Sequence, residues 1–226
     1  MKCGVVTFPG SNCNQDMIYA LETILDQEVE ELWHKDFNIK NCELIVLPGG
    51  FSYGDYLRSG AIARFSPIMK EVLFHAKKGG LILGICNGFQ ILCEAGLLPG
   101  ALLHNNNQKF ICKNTYLKAK SNNAKICNTL NKKTTYKIPI AHGEGRYYAD
   151  DITITDLFSN DQILFQYCDQ SGNVLAKNNP NGSINNIAGV CNKNGNIMGM
   201  MPHPERAVDS LLGNTDGIPL FNSLLK

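Results

Sequence analysis

Several features that would place the chain in a familiar class are missing. Its 226 residues contain no apolar run approaching the ~18 residues that span a bilayer. The formal charge of +1 provides no electrostatic basis for binding nucleic acid or a membrane surface. Residues 1–8 are too short and too strand-like for a signal peptide. We therefore expect a single domain over residues 1–226, with neither nucleic acid nor membrane as a partner.

The chain also lacks paired cysteine motifs, and it contains few arginines. The nine cysteines are odd in number and include no Cys-x-x-Cys pair, which argues against a disulfide framework or a zinc site and favours reduced thiols in the cytoplasm. Seventeen lysines stand against four arginines. Where lysine is the usual cation, an arginine indicates a need for its planar fork. The four are Arg58, Arg64, Arg146 and Arg206.

The pattern of apolar segments predicts an α/β fold. In the first half, uniformly apolar strands alternate with amphipathic helices, which is typical of a mostly parallel sheet covered by helices on both faces. In the second half, short strands separated by Asn/Gly turns predict additional antiparallel pairs, with Asn194-Gly195 as a two-residue hairpin turn. Residues 118–137 are polar and poorly patterned, so we expect an exposed connection there. The predicted strands are 4–8, 29–33, 44–47, 81–85, 110–117, 137–141, 163–167, 187–191 and 197–200, and the predicted helices are 16–25 and 67–78.

Residues 84–90, Gly-Ile-Cys-Asn-Gly-Phe-Gln, are the strongest functional signal. A strand that ends in Gly-x-Cys-x-Gly and passes directly into a helix is a nucleophile elbow with sulfur in place of a serine oxygen. The helix that begins after Cys86 directs unpaired N–H groups and the positive end of its dipole at the thiol, which favours the thiolate. The alternative is a buried structural cysteine, which is how most free cysteines behave.

A cysteine nucleophile needs a base, and the base needs a carboxylate to orient it. Of five histidines, His34 and His75 are expected to be solvated, whereas His142 and His203 lie in constrained segments at strand ends. His203 is preferred because it stands in Pro202-His-Pro-Glu205. Residues two apart in an extended chain share a side, so Glu205 can reach one imidazole nitrogen while the other faces the thiol. A rigid turn with a surface histidine is the alternative.

These motifs together resemble the class I (triad-type) glutamine amidotransferases, and within them the glutaminase subunits of phosphoribosylformylglycinamidine synthase. The resemblance runs nearly end to end and weakens between residues 114 and 135. Beyond the Cys86 and His203 motifs, it includes residues 8–13 (FPGSNC), 47–58 (LPGGFSYGDYLR), 138–147 (IPIAHGEGRY), 179–183 (NPNGS) and 199–206 (GMMPHPER).

The resemblance implies a flavodoxin-like fold and a catalytic triad of Cys86, His203 and Glu205. Cys86 would attack the side-chain amide of glutamine, and the backbone N–H groups of Gly50 and Asn87 would bind the oxyanion. Gln90 would hold substrate from the elbow helix or be part of the polar helix surface. A further hypothesis places Arg58, His142 and Arg146 around the mouth of the site, where they contact a partner. No metal is implied.

The implied partners are a large synthetase subunit and a small accessory subunit. The chain has no Walker-type loop, so ATP and Mg²⁺ would be used by the synthetase, which converts formylglycinamide ribonucleotide to its amidine with the ammonia supplied. This chain would need no cofactor of its own. Three alternatives stay open: a glutaminase serving another synthetase, an elbow-cysteine hydrolase of related fold, and an inactive binding subunit.

Overall fold

Strands and helices alternate through the computed structural model, which describes residues 1–226. Nine of the eleven strands form one sheet, and two form a small antiparallel pair. The strands are β1 (Lys2–Thr7), β2 (Glu28–Trp33), β3 (Leu44–Leu47), β4 (Leu81–Ile85), β5 (Ala101–Leu103), β6 (Ile111–Ala119), β7 (Thr135–His142), β8 (Arg146–Tyr148), β9 (Ile163–Cys168), β10 (Ile187–Cys191) and β11 (Ile197–Met200). The α-helices are α1 (Asn14–Tyr19), α2 (Ile68–Lys77), α3 (Asn87–Glu94), α4 (Asp151–Ser159) and α5 (Ile218–Leu224).

The large sheet is half parallel and half antiparallel. Its order is β2-β1-β3-β4-β11-β10-β9-β6-β7. The first five strands in this order are parallel, and β3 is buried along its whole length, as expected for a strand covered on both faces. The remaining pairs are antiparallel. The predicted fold class is therefore confirmed, and buried apolar side chains from both halves form one continuous core.

The predicted elements of the first half agree with the structure to within two residues at each end, because α1 continues as a π-helical turn over Ala20–Ile24. The sequence did not predict β5, β8, α4 or α5. The hairpin between β10 and β11 is present, but its loop is longer than the two residues expected. Asn192 N–H donates to Ile197 O at 3.0 Å, which leaves residues 193–196 in the loop.

The expectation of an exposed connection over residues 118–137 is correct only in part, because buried and exposed residues are mixed along it. Strand β6 extends to Ala119 and β7 begins at Thr135. Between them, Ile126 and Cys127 are fully buried. Ser223 of α5 donates to the carbonyl of Lys125 at 2.6 Å and accepts from the N–H of Thr129. The polar composition concealed a segment whose few apolar residues pack against the C-terminal helix.

No helix in the structure combines the length and the apolar character required to cross a membrane.

Candidate active site

Cys86 lies in a strained turn between β4 and α3. Its φ of 50° and ψ of −106° fall outside the regions that L-residues ordinarily occupy. Such strain costs about 1–3 kcal/mol and persists where the surrounding structure imposes it. Here the Cys86 N–H donates to Met200 O at 2.8 Å, and the Cys86 carbonyl accepts from the Gln90 N–H in the first turn of α3. The thiol is thus held at the N-terminus of the helix.

The two glycines of the elbow are required for close packing rather than for a sharp turn of the backbone. Neither adopts a positive φ, since the strained residue is Cys86 itself. Instead, a Cβ on Gly88 would overlap the carbonyl oxygen of Leu47, and one on Gly84 would lie 2.7 Å from the Gly88 backbone. Glycine is required at these positions because α3 packs directly onto β3 and β4.

Strand register brings His203 to Cys86. Strands β4 and β11 are parallel neighbours with Ile85 opposite Met200, so both residues follow their strands at the same sheet edge. His203 Nδ1 lies 2.7 Å from Glu205 Oε1, and both side chains are buried. His203 Nε2 has no hydrogen-bond partner, and His203 and Cys86 line the same cavity. The thiol itself donates to the Ala141 carbonyl at 3.7 Å.

The surroundings of His203 favour its protonated form. Burial by itself would lower its pKa, but the negative charge of Glu205 and the adjacent Cys86 sulfur outweigh burial and hold the pKa well above the usual value. A cationic imidazole beside a thiol stabilises the thiolate. The arrangement can therefore supply a nucleophilic sulfur and a proton donor from one pair of side chains.

Two backbone N–H groups beside the thiol are free to bind an anion. Those of Gly50 and Asn87 donate no hydrogen bond within the chain. Gly50 has a φ of 137°, and a Cβ there would come within 2.8 Å of the Ser11 and Asn12 backbone, so only glycine fits. Asn87 begins α3, where the N–H groups have no intrahelical acceptor. These are the features that an oxyanion site requires.

Two small cavities meet at Cys86. One has a volume of about 150 Å³ and the other about 240 Å³. The smaller continues towards Asp55 and Glu144, and we call it the acidic cleft; the larger continues towards Cys13 and Arg206. The wall they share consists of Gly50, Phe51, Cys86, Phe110 and Ala141. A small substrate can therefore approach the sulfur from a confined, partly polar space.

A family model for CobB/CobQ-like glutamine amidotransferase domains matches residues 1–216. The chain belongs to this family. Its curated relatives include the phosphoribosylformylglycinamidine synthase subunit PurQ of Moorella thermoacetica, 54% identical over all of this chain and 95% of the relative. The PurQ subunit of Trichormus variabilis is 53% identical over all of this chain and 97% of its own.

Solved structures agree with this assignment. A chain in the structure of PurLQS from Thermotoga maritima superposes with a TM-score of 0.86 at 45% identity, covering 99% of this chain and 97% of that one. A glutamine amidotransferase from the same organism has a TM-score of 0.61 at 14% identity over the whole chain and 96% of its own. At that identity the second likeness concerns the fold alone.

Gln90 lies inside this amidotransferase site rather than on a polar helix surface. It is buried and lines the acidic cleft. Its Nε2 donates to the Glu144 carbonyl at 2.6 Å, and its Oε1 accepts from the Asn87 side chain at 2.9 Å. Both amide atoms are already engaged, so the side chain ties the elbow helix to the loop after β7.

Of the three predicted residues at the mouth, only His142 lines a cavity with Cys86. It is buried, its Nδ1 lies 3.2 Å from Asn105 Oδ1, and burial together with the charge of His203 lowers its pKa to about 4. Arg58 makes two 2.7 Å contacts with the Glu94 carboxylate. Arg146 Nε donates to the carbonyl of His104 at 2.9 Å.

The two histidines expected to be solvated are not. His34 is buried, and its Nδ1 lies 2.7 Å from the Tyr53 hydroxyl. His75 is partly buried and its Nε2 is inaccessible. Neither residue lines the cavities at Cys86.

Sequence reasoning missed a second thiol at the catalytic histidine. Cys13 is buried against His203, and Arg206 Nη2 donates to its sulfur at 3.1 Å while Arg206 Nε contacts Asp16 at 2.9 Å. Candidate metal-ligand atoms of Cys13, His203 and Glu205 lie within 4.8 Å of one another. Coordination through His203 Nδ1 would break its hydrogen bond to Glu205. In the sequence, the only indication of this contact was that Arg206 is one of just four arginines.

Two acidic residues of the cleft were also missed. Asp55 and Glu144 both line it, and the Asn87 side chain donates to Asp55 at 3.3 Å. Both lie in segments singled out by the family resemblance, but neither stands in a local pattern that indicates chemistry. Only the folded chain brings residues 55 and 144 to one cavity.

Proposed function

We infer that the chain is the glutaminase subunit of phosphoribosylformylglycinamidine synthase. The observation that carries the inference is the conjunction of full-length identity of 51–54% to such subunits with a cysteine elbow that shares a cavity with a buried His–Glu pair. The reaction hydrolyses glutamine to glutamate and ammonia, and the ammonia is consumed by a synthetase.

In the first half of the reaction, the Cys86 thiolate attacks the side-chain amide carbon of glutamine. The carbonyl oxygen becomes an oxyanion that accepts hydrogen bonds from the N–H groups of Gly50 and Asn87. His203, held by Glu205, donates its proton to the amide nitrogen. The carbon–nitrogen bond then breaks, ammonia leaves, and a γ-glutamyl thioester remains on Cys86.

In the second half, His203 is neutral and accepts a proton from water as the water attacks the thioester carbon. The carbon–sulfur bond breaks, glutamate is released, and the Cys86 thiolate and the His203 imidazolium are restored. Glu205 keeps the imidazole oriented throughout. No step requires a cofactor or metal held by this chain.

The ammonia is used by a large synthetase subunit, with which we propose that this chain assembles together with a small accessory subunit. ATP and Mg²⁺ act in the synthetase, where formylglycinamide ribonucleotide becomes formylglycinamidine ribonucleotide in the route to purine nucleotides. The structure contains nine free thiols, and we propose the cytoplasm as the site of the reaction.

Glutamine hydrolysis should be measured with the wild-type chain and with Cys86→Ala, in the presence and absence of the purine-pathway synthetase. Of these two proteins, we expect only the wild type to support glutamine-dependent amidine formation by the synthetase. Cys112→Ala is a matched control because Cys112 is an exposed cysteine on β6, and it should retain activity.

Glutamine hydrolysis by Cys86→Ala at the wild-type rate would contradict the mechanism. Ammonia transfer to a different synthetase, with none to the purine-pathway enzyme, would instead favour a glutaminase of another branch. The two outcomes are separable because the first concerns the chemical step and the second the partner.

A further inference from the structure

The acidic cleft has a charge that suits a cation. Its lining includes two carboxylates, Asp55 and Glu144, and no lysine or arginine. The cavity on the other side of Cys86 has the opposite character, with Arg206 and no carboxylate. The two approaches to the sulfur therefore differ in sign. An ammonium group of a substrate is therefore attracted to the acidic cleft rather than to the other cavity.

Asp55 is held in the cleft by its surroundings. Tyr53, Asp55 and Leu57 all have a positive φ, which is costly for such residues outside functional segments. The Asp55 carboxylate accepts hydrogen bonds from the Asn87 and Ser59 side chains. Since Asn87 is the residue after the nucleophile, Asp55 is linked directly to the elbow.

Glu144 also lines the acidic cleft. Its backbone carbonyl accepts from Gln90, and its carboxylate lies 3.4 Å from His104 Nε2. Asp55 and Glu144 are close enough for their charges to repel, and burial and this repulsion together raise the pKa of Asp55 to about 6. The Nε2 of His142, a buried residue that also lines the cleft, has no hydrogen-bond partner. The cleft thus contains polar groups that a ligand would satisfy.

We propose that Asp55 and Glu144 bind the α-ammonium group of glutamine and thereby select the free amino acid over its des-amino and N-acylated forms. The assignment rests on the proposed function, because it takes the γ-amide of glutamine to lie at Cys86. The short aliphatic chain then extends along the acidic cleft. The α-carboxylate then points away from the two acids.

The test compares glutamine with glutaramate, which is glutamine without its α-amino group, in ammonia release by the complex with the synthetase. We expect the wild type to prefer glutamine by about 10²-fold or more in kcat/KM, because a buried group built to bind a substrate N–H is left unpaired by the analogue. In Asp55→Asn, kcat/KM for glutamine should fall by about 10²-fold, mainly through KM, while glutaramate changes by less than about threefold. Glu144→Gln should act in the same direction.

The Asp55→Asn variant is expected to fold as the wild type does. Asparagine matches aspartate in shape and tolerates a positive φ. Asp156→Asn is a matched control, because Asp156 is an exposed residue of α4 outside the cleft, and it should leave both substrates unaffected.

Two results would overturn the assignment. One is a wild type that turns over glutaramate as well as glutamine. The other is an Asp55→Asn variant that loses equal activity on both substrates, because a loop that only supports the elbow affects them alike. A wild-type complex that releases no ammonia from glutamine would refute the proposed function as well.

Discussion

The charge of Glu205 determines the protonation state of His203. With Glu205→Gln, the shape and the burial persist but the negative charge is lost, so the pKa of His203 should fall. The thiolate of Cys86 then loses its cationic partner. We expect kcat to drop by about 10²–10⁴-fold and the alkylation of Cys86 by iodoacetamide near neutral pH to slow, as followed by peptide mass spectrometry. Glu71→Gln on α2 is the control; equal alkylation rates in both variants would contradict this role.

Asp55 is a site where function and stability conflict. Its native pKa of about 6 lies above the ordinary value of 3.8, so the native state binds this proton more tightly than the unfolded chain does. Stability contributed by the protonated form is therefore lost as the pH rises from about 4 to about 6. Asp55→Asn avoids this cost. We expect it to be more stable than the wild type by about 1 kcal/mol at pH 7.5, allowing for partial exposure.

Thermal unfolding at several pH values measures this difference. The gap in melting temperature between Asp55→Asn and the wild type should narrow as the pH falls through 6 and close towards about pH 3, where the wild-type carboxyl is protonated in both states. A gap that is constant with pH would point to backbone conformation rather than charge as the source of the change in stability.

Helix α3 shows how packing overrides helix propensity. Alanine is favoured over glycine inside a helix by about 1 kcal/mol, so Gly88→Ala would be stabilising on propensity alone. The Cβ would, however, overlap the Leu47 carbonyl oxygen, which is backbone and cannot rotate away. We expect destabilisation of about 3 kcal/mol in denaturant unfolding, together with loss of glutamine hydrolysis as the elbow shifts.

Gly96→Ala is the matched control for that prediction. Gly96 has a φ of 69° and open space around its would-be Cβ, so only the conformational cost of about 1 kcal/mol applies. Its activity should be unchanged. If Gly88→Ala unfolded at the wild-type denaturant concentration, the close contact between α3 and β3 would not be a constraint.

The strands β3 and β4 were predicted accurately because a strand buried on both faces is a continuous apolar run. The strands β5 and β8 have three residues each, which is too short for any periodicity to be visible. Helix α4 contains the β-branched run Ile152–Thr155, and because β-branched residues favour strands over helices, the sequence does not indicate a helix there. Its start is defined by Asp150, whose side chain accepts from the Thr153 N–H at 2.7 Å.

The assembled enzyme offers a test of the predicted partner contacts. Arg146 donates a hydrogen bond to the His104 carbonyl near the acidic cleft, and Arg58 forms a salt bridge with Glu94 at the end of α3. We expect Arg146→Glu to weaken binding to the synthetase by about tenfold, because charge reversal at a contact surface introduces repulsion. Titration of the labelled synthetase measures the affinity.

Lys193→Glu is the matched charge reversal for that experiment. Lys193 lies in the hairpin before β11, at the sheet edge opposite Cys86. It should leave the affinity unchanged. The wild type, Arg58→Glu and Arg146→Glu could instead show equal affinities and equal ammonia-coupled synthesis. That result would mean that these arginines only stabilise the segments they contact and do not bind the synthetase.

The amino-acid sequence alone was sufficient to identify Cys86, His203 and Glu205 as candidates and to predict the parallel sheet. Each rests on a constraint contained in a few adjacent residues: a glycine-flanked elbow, a proline-flanked His-x-Glu, and apolar runs. The tertiary structure decided what surrounds them. The β4–β11 register brings His203 to Cys86, and the same sheet edge adds Cys13, Asp55 and Glu144. No short-range pattern can contain those contacts, because they depend on strand order and loop conformation.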